Sequence, residues 1–206
     1  MTSIFANRPL RVRLEGAPLA PDLGRHAVSA FVRQALNAPA MAELVFADPS
    51  AETLTGLRLG ARLALSVDGS GDLFDGEVTA VEYQHDAAQG RVVRLRALDK
   101  LHRARLRQRA RTLTDTTVAD LAGQMAGDLG LAFSCAEHPP TRALIVQHDQ
   151  NDFDLVVDLA RDAGLYLQLE ADCLRLVSLA GEGEPVPLRM RREIIQARAT
   201  AGADSL

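Results

Sequence analysis

The chain has 206 residues, of which 47% are hydrophobic and 4% aromatic, and it contains no tryptophan. This length and composition indicate a globular protein with an aliphatic core and exclude a disordered chain. The formal net charge of −4 argues against a dedicated nucleic-acid-binding protein.

Residues 1–98 alternate between short apolar segments and turn sequences. Alternation of apolar and polar residues predicts strands at Arg11–Leu14, Ala27–Leu36, Ala42–Phe46, Leu57–Val67, from Leu73 onward, and at Arg91–Leu98. Asp68-Gly69 and the segment Asp86–Gly90 are typical of hairpin turns. Five or six strands at hairpin spacing predict an antiparallel barrel or sandwich.

Two amphipathic helices are predicted after Asp99. Apolar residues recur at helical spacing in Thr116–Leu129 and again in Phe153–Ala163. Thr117 with Asp120 predicts a capping box, Asn151 or Asp152 caps the second helix, and Gly130 and Gly164 end the two helices. Strands are predicted to follow at Ala132–Cys135, Tyr166–Leu169, Cys173–Val177 and Arg189–Ala197. The helices either form two α-then-β units or resemble each other only because both end in Gly-Leu.

The change of pattern at Asp99 predicts a β-rich α+β fold with two domains and a final segment. Residues 1–98 would form an antiparallel β-barrel, and residues 99–188 a small α/β domain with two short helices. Residues 189–206 would supply one strand and a crossover leading onward.

Catalytic and metal-binding signatures are absent from the sequence. Cys135 with His138 and His148 lacks a second Cys/His pair, so we expect no metal site and no cofactor. Asp149, Asp152 and Asp154 could bind a cation, but helix N-termini attract carboxylates in any case. We also expect no export through a cleaved signal and no stable membrane insertion, because apolar runs fall short of roughly 18–20 residues.

A basic segment stands out in this acidic chain. Residues 91–111 contain nine Lys or Arg and one acid, Asp99. Within it, five alternate positions are arginine, and in an extended chain all would lie on one face: Arg103, Arg105, Arg107, Arg109 and Arg111. Such a face could bind a phosphate backbone, although no aromatic residue is interleaved for base stacking. We favour acidic partners in a neighbouring domain or subunit, which would place the arginines at a junction.

The order of these motifs resembles the hub domain of the late-control D family. This family comprises baseplate hubs of contractile phage tails, VgrG spike proteins and relatives in extracellular contractile injection systems. The resemblance covers roughly residues 25–200 and depends on an ordered series rather than on one motif. Its structural signature consists of Phe74, Gly76, Asp99, Gly130, Asp152, Phe153 and Gly164.

The resemblance implies a non-enzymatic structural hub. Such proteins have a tail-tube-like barrel, an inserted α/β domain and a second barrel that is missing here. Three copies would join a hexameric inner tube to a trimeric spike, with tail-tube protein, spike or spike tip and baseplate components as partners. Assembly would take place in the bacterial cytoplasm before incorporation into a tail-like particle. The alternatives are a peptidoglycan hydrolase module and a phosphate-backbone-binding protein that uses Arg103–Arg111.

Overall fold

A computed structural model describes residues 10–50, 54, 56–67, 71–87, 90–180, 187–190 and 192. Within these ranges the chain is β-rich, with antiparallel pairing dominant and a few short helices. None of those helices is long and apolar enough to span a bilayer. The α+β fold expected from the sequence is confirmed.

The first part of the chain forms a seven-stranded antiparallel sheet with the order β2-β1-β5-β6-β7-β4-β3. A short helix, α1 (Pro21–Arg25), connects the second strand to the third. The strands are β1 (Leu10–Leu14), β2 (Ala17–Pro18), β3 (Ala27–Arg33), β4 (Met41–Ala47), β5 (Arg62–Val67), β6 (Asp72–Asp86) and β7 (Gly90–Leu98).

Alternation along β4 and β7 explains why this sheet has one apolar face. Successive side chains of a strand point to opposite faces, so residues two apart share a face. Three cross-strand pairs are buried on the inner face: Ala42 with Ala97, Leu44 with Leu95 and Phe46 with Val93. On the outer face Glu43 lies opposite Arg96, and the two side chains form an ion pair at 2.8 Å.

The sheet curls without closing its hydrogen-bonded ladder. Gln34, just after β3, donates from Nε2 to the Leu73 carbonyl oxygen near the start of β6 at 2.9 Å. Those two strands are separated by β4 and β7 in the sheet order. Among the described residues, no ladder joins β3 to β1 or β2, so β2 and β3 remain the two edges.

The second part of the chain packs two helices against two small sheets. Helices α2 (Val118–Asp128) and α3 (Asp152–Asp162) each bury one apolar face. A three-stranded sheet has the order β11-β12-β9, and a two-stranded sheet pairs β8 with β10. Their strands are β8 (Arg111–Thr116), β9 (Ala132–Cys135), β10 (Arg142–Gln147), β11 (Tyr166–Glu170) and β12 (Cys173–Val177).

Each part of the chain has its own hydrophobic core. One cluster of buried residues runs from Leu23 to Ala97, and the other from Leu101 to Leu176. The change from one cluster to the other therefore falls between Ala97 and Leu101. The domain bounds given above, residues 1–98, 99–188 and 189–206, remain predictions.

The two predicted helices are confirmed, together with their caps. Thr117 and Asp120 form the capping box of α2, and Asn151 rather than Asp152 caps α3. Each helix ends at a glycine with positive φ, Gly130 at +68° and Gly164 at +70°. Each helix also leads into a strand of the three-stranded sheet, so the two α-then-β units share one sheet.

The prediction of one extended arginine strand over residues 103–111 is wrong. Lys100–Leu106 form a 3₁₀ helix, because the Asp99 carboxylate caps its first turn and Leu101 and Ala104 are buried three residues apart. The five arginines therefore do not share the face of one strand, and only Arg111 lies in a strand.

Other strand boundaries also differ from the predictions. The strand expected from Leu57 begins at Arg62, and the strand expected to reach Leu36 ends at Arg33. The helix α1 and the strand β10 were not predicted. The turn at Asp68-Gly69 lies outside the described residues, as does most of the predicted strand Arg189–Ala197 and of the segment 189–206.

Candidate domain junction

Gly76 is required by a close approach between two strands. It lies in β6, and a Cβ added there would meet the Phe74 Cζ at 2.6 Å and the Leu98 carbonyl oxygen at a still shorter distance. Phe74 is buried in the core of the first sheet. Because Leu98 is the last residue of β7, the two signature residues fix β6 against the point where the chain leaves the sheet.

Asp99 connects the end of β7 to the start of β4. Its carboxylate accepts hydrogen bonds from the Ala40 N–H at 2.7 Å and from the Leu101 N–H at 2.9 Å. The Asp99 N–H in turn donates to the Ala40 carbonyl oxygen at 3.0 Å. Burial raises the pKa of this carboxyl, while the two backbone hydrogen bonds oppose that rise. Asp99 thus joins the strand, the loop before β4 and the 3₁₀ helix.

Glu77 receives two consecutive side chains of the 3₁₀ helix. Arg103 Nε donates to Glu77 Oε1 at 2.8 Å, and Arg103 Nη2 donates to Oε2. His102 Nε2 lies 2.9 Å from Oε1. The hydrogen bond from Arg103 holds the pKa of Glu77 below its usual value. This bidentate pair joins β6 to the segment that follows the sheet.

Two further contacts reach the three-stranded sheet, one from the loop after β3 and one from the 3₁₀ helix. Asn37, at φ +58°, donates its N–H to the Leu167 carbonyl oxygen at 2.9 Å and accepts the Leu167 N–H on Oδ1 at 2.8 Å. Asn37 therefore mimics one rung of a strand ladder at β11. Lys100 forms an ion pair with Asp172 at 2.8 Å.

The remaining arginines contact the second core. Arg107 and Arg109 reach the Asp128 carboxylate at 2.8 and 2.6 Å. Arg109 and Arg111 also lie 3.3 and 3.4 Å from Asp152. Arg109 and Arg107 hold the pKa of Asp128 below its usual value. These cations offset the unfavourable position of a carboxylate at the C-terminal end of α2.

Arg105 differs from the other four arginines because it stacks on a ring. Its guanidinium carbon lies 4.8 Å from the centroid of the Phe153 ring, which is almost completely buried. This distance is that of a cation–π contact. Arg105 therefore covers the signature residue Phe153 at the start of α3.

Asp152 belongs to a buried polar network. Gln147, which is also buried, donates from Nε2 to Asp152 Oδ1 at 2.9 Å and accepts from Arg111 Nε at 2.7 Å. The Asp152 N–H donates to the Arg107 carbonyl oxygen at 2.9 Å. The network is satisfied by side chains and backbone of this chain, which explains how a carboxylate can be buried here.

The arginines were predictable from the sequence, but several of their acidic partners were not. The acids lie in this chain, and of Glu77, Asp128 and Asp152 only Glu77 belongs to residues 1–98. Asp152 lies at a predicted helix start, whereas no local sequence signal marks Glu77 or Asp128. Glu77 is 26 residues from Arg103, and only the ladder that places it opposite Leu98 brings the two together.

The acidic residues considered for metal binding contact side chains of this chain instead. Asp149 lies 2.9 Å from His148, Asp154 accepts a hydrogen bond from Asn151, and Asp152 contacts arginines. Cys135 and Cys173 are free thiols. In the part of the chain that the structure describes, no three His, Cys, Asp or Glu side chains are placed to hold a metal ion.

Comparisons with known proteins identify relatives of this fold. The model of the family described as phage tail baseplate hub (GPD) matches residues 33–198. No curated protein matches the sequence.

Several solved structures share the fold at low sequence identity. A 43 kDa tail protein of prophage MuSo2 from Shewanella oneidensis aligns with a TM-score of 0.61 at 12% identity, over 82% of this chain and 54% of that chain. A tail protein from Neisseria meningitidis MC58 gives 0.61 at 18% identity, over 82% and 50%.

The E. coli c3393 protein aligns with a TM-score of 0.62 at 14% identity, over 91% of this chain and 52% of that chain. It is a component of the type VI secretion system with structural similarity to the T4 bacteriophage tail proteins gp27 and gp5. The chain thus spans about half the length of each of these three proteins. Because the family model covers most of the sequence, this chain belongs to the phage tail baseplate hub (GPD) family.

Proposed function

We propose that this chain is part of the baseplate hub of a contractile injection machine, where three hub copies join a hexameric inner tube to a trimeric spike. The observation that carries the proposal is the family match over residues 33–198. The role is structural and non-enzymatic, and its mechanism is geometric, through matching the symmetry of the tube to that of the spike. Assembly takes place in the bacterial cytoplasm.

The exposed strand β3 supports a role in assembly. Val28 and Phe31 are both exposed on this strand, with 62% and 54% of their surfaces accessible. Among the described residues β3 pairs only with β4, so its outer edge has unpaired backbone groups. An exposed apolar edge strand is suited to contact another protein chain.

The polar contacts around Asp99 and Glu77 support a role in which the two parts of the chain keep a fixed orientation. They connect the first sheet to the second core through Glu77 of β6, the loop residues Ala40 and Asp99, and the 3₁₀ helix. A hub has to keep its parts in register while the sheath contracts, and several short hydrogen bonds at one junction resist rotation there. The five arginines are junction residues in this proposal.

The experiment that tests the proposal is a deletion and complementation. A strain that produces the particles should lose spike-bearing particles when the hub containing this chain is deleted, while free tubes still form. Restoring the hub should restore the particles. Normal, spike-bearing particles without the hub would overturn the proposal.

The two other functions lack a supporting observation in the described residues. Arg103, Arg107, Arg109 and Arg111 each contact a carboxylate, so they do not form a free basic face for phosphate. We expect the purified hub to leave suspensions of peptidoglycan turbid. Clearing that is lost in Asp149→Asn would favour the hydrolase.

A further inference from the structure

The hydrogen bonds of β11 identify its outward edge. This strand pairs with β12 alone, since the sheet order is β11-β12-β9. The Leu167 N–H and carbonyl oxygen both bond to Asn37 rather than to β12, at 2.8 and 2.9 Å. Hydrogen-bonded positions alternate along an antiparallel pair, so the N–H and C=O groups of Leu169 face outward as well. The edge is therefore covered at Leu167, while at Leu169 no backbone partner lies among the described residues.

The turn between β11 and β12 gives the same alternation. Residues 171 and 172 both have a positive φ, +46° and +62°, as in the two-residue type I′ turn of a hairpin. Glu170 and Cys173 flank this turn and are paired across the two strands, which makes them the first hydrogen-bonded pair. Leu167 and Leu169 lie at the alternate positions and face away from β12.

The loop that carries Asn37 is anchored on both sides. Before it, Gln34 Nε2 donates to the Leu73 carbonyl oxygen at 2.9 Å. After it, the Ala40 N–H donates to the Asp99 carboxylate, and the Asp99 N–H donates to the Ala40 carbonyl oxygen. Asn37 itself has a φ of +58°, which asparagine tolerates better than most residues. The loop thus holds the Asn37 side chain against β11.

The strand itself lacks the residues that commonly protect an edge. Proteins blunt exposed edges with lysine, proline or a bulge. The sequence of β11, Tyr-Leu-Gln-Leu-Glu, contains neither lysine nor proline, and its register with β12 is unbroken. Its one charged residue, Glu170, forms an ion pair with Arg175 at 3.0 Å. Protection of this edge therefore has to come from outside the strand.

We propose that Asn37 is an edge cap, which occupies the outward groups of Leu167 so that a second copy of the chain cannot add its own β11 there. An edge with unpaired N–H and C=O groups is a template for another strand. Two β11 edges are self-complementary, because Leu167 of one copy can pair antiparallel with Leu169 of the other about a twofold axis. With Asn37 in place, only Leu169 remains open, and one residue is too short for a ladder.

The role of Asn37 as an edge cap goes beyond the proposed hub function and does not depend on it. The cap acts on the three-stranded sheet, whereas the assembly contact in the proposed hub uses β3 of the seven-stranded sheet. Loss of the cap adds a contact between copies at β11 and leaves β3 as it was. Measurements on each strand therefore separate the two contacts.

Amide hydrogen exchange, followed by NMR in dilute solution, tests the contact. Asn37→Gly keeps the backbone N–H and tolerates the positive φ, but it removes the acceptor for the Leu167 N–H. Asn37→Asp is the matched control, because its carboxylate oxygen accepts the same hydrogen bond. We expect the Leu167 amide to exchange about tenfold faster in Asn37→Gly and within about threefold of wild type in Asn37→Asp. Equal rates in wild type and Asn37→Gly would overturn the proposal.

Sedimentation velocity over a range of concentrations tests whether the contact prevents pairing. Asn37→Gly should form dimers at a concentration about tenfold lower than wild type or Asn37→Asp. In the dimer the amides of Leu167 and Leu169 should both gain protection from exchange, while the amides of β3 exchange as in wild type. An Asn37→Gly chain that associates no more than wild type would reduce Asn37 to a structural contact and overturn the edge cap. Association that protects β3 instead of β11 would overturn it as well.

Discussion

Gly76 shows how closely two strands approach at the junction. The Leu98 carbonyl oxygen and the Phe74 ring occupy the space that a Cβ at residue 76 would need. Both neighbours are held in place, one by the β7 backbone and the other by the core. At the residue scale, therefore, Gly76 belongs to the family signature because it allows β6 to approach Leu98 and Phe74 closely, and not because it binds a ligand.

We expect Gly76→Ala to destabilise the protein by about 1–3 kcal/mol, because the methyl group forces the ring and the strand apart. Gly127→Ala is the matched control, since it lies in α2 with no atom within 4 Å of an added Cβ. That control should stabilise the protein by about 0.5–1 kcal/mol. Urea unfolding measures both, and an equal effect of the two substitutions would refute the close approach.

Glu77 provides a residue-scale prediction that depends on pH. Its folded pKa is lowered by Arg103, so its contribution is present above the unfolded value of about 4.3 and is lost as pH falls through the folded value. We expect Glu77→Gln to cost about 1 kcal/mol at neutral pH, since Arg103 is half exposed.

The cost of Glu77→Gln should shrink as the pH falls below about 4, which equilibrium unfolding at a series of pH values will show. Glu82→Gln, in the same strand, is the control and should change stability by less than about 0.5 kcal/mol. A cost that is constant down to about pH 3 would contradict the charged hydrogen bond.

At the scale of elements, α2 and α3 end in the same way. In each, the N–H of the leucine after the glycine donates to a carbonyl oxygen five residues back: Leu131 to Ala126 and Leu165 to Ala160. In each helix the glycine that precedes this leucine, Gly130 or Gly164, has a positive φ, as in a Schellman motif. Each terminus therefore turns the chain directly into a strand of one sheet.

We expect Gly164→Ala to cost about 1–2 kcal/mol, because an alanine is strained at a φ of +70°. Steric contact does not contribute, since no atom lies within 4 Å of an added Cβ. Thermal unfolding monitored by circular dichroism is the measurement. A loss below about 0.3 kcal/mol would show that the helix ends differently.

Elements whose sequence signals lie within a few residues of each other were predictable. Elements that depend on contacts with residues far away in the sequence were not. The apolar stripe of α2 and the caps at Thr117 and Asn151 act within one or two helical turns. The 3₁₀ helix was missed because alternating arginines imitate the period of a strand, while only Leu101 and Ala104 of this helix are buried. One partner of Asp99, the Ala40 N–H, likewise lies 59 residues away in sequence, in the loop before β4.

At the scale of the whole molecule, two hydrophobic cores are joined by a polar junction. The first core lies under the seven-stranded sheet and the second lies between α2, α3 and the small sheets. Apolar cores tolerate some sliding, whereas directed hydrogen bonds at Asn37, Glu77 and Asp99 define an orientation. The proposed hub role depends on this orientation together with β3, which is an edge strand among the described residues.

Lysines on β3 should impair assembly more than folding. Val28→Lys combined with Phe31→Lys places two charges on the edge strand, where the native side chains are already exposed. We expect the double variant of the full hub to unfold within about 1 kcal/mol of wild type but to lose trimers in sedimentation. Lysine at Tyr83, which is equally exposed, is the control. Unchanged trimers in the double variant would exclude β3 from the interface.

The central claim is that this chain joins tube to spike, and electron cryomicroscopy of intact particles tests it most directly. The map should place three copies of the hub between the last tube ring and the spike, with the seven-stranded sheet continuing the tube wall. Density for the hub elsewhere in the particle, or a complete tube–spike joint built without it, would contradict the account.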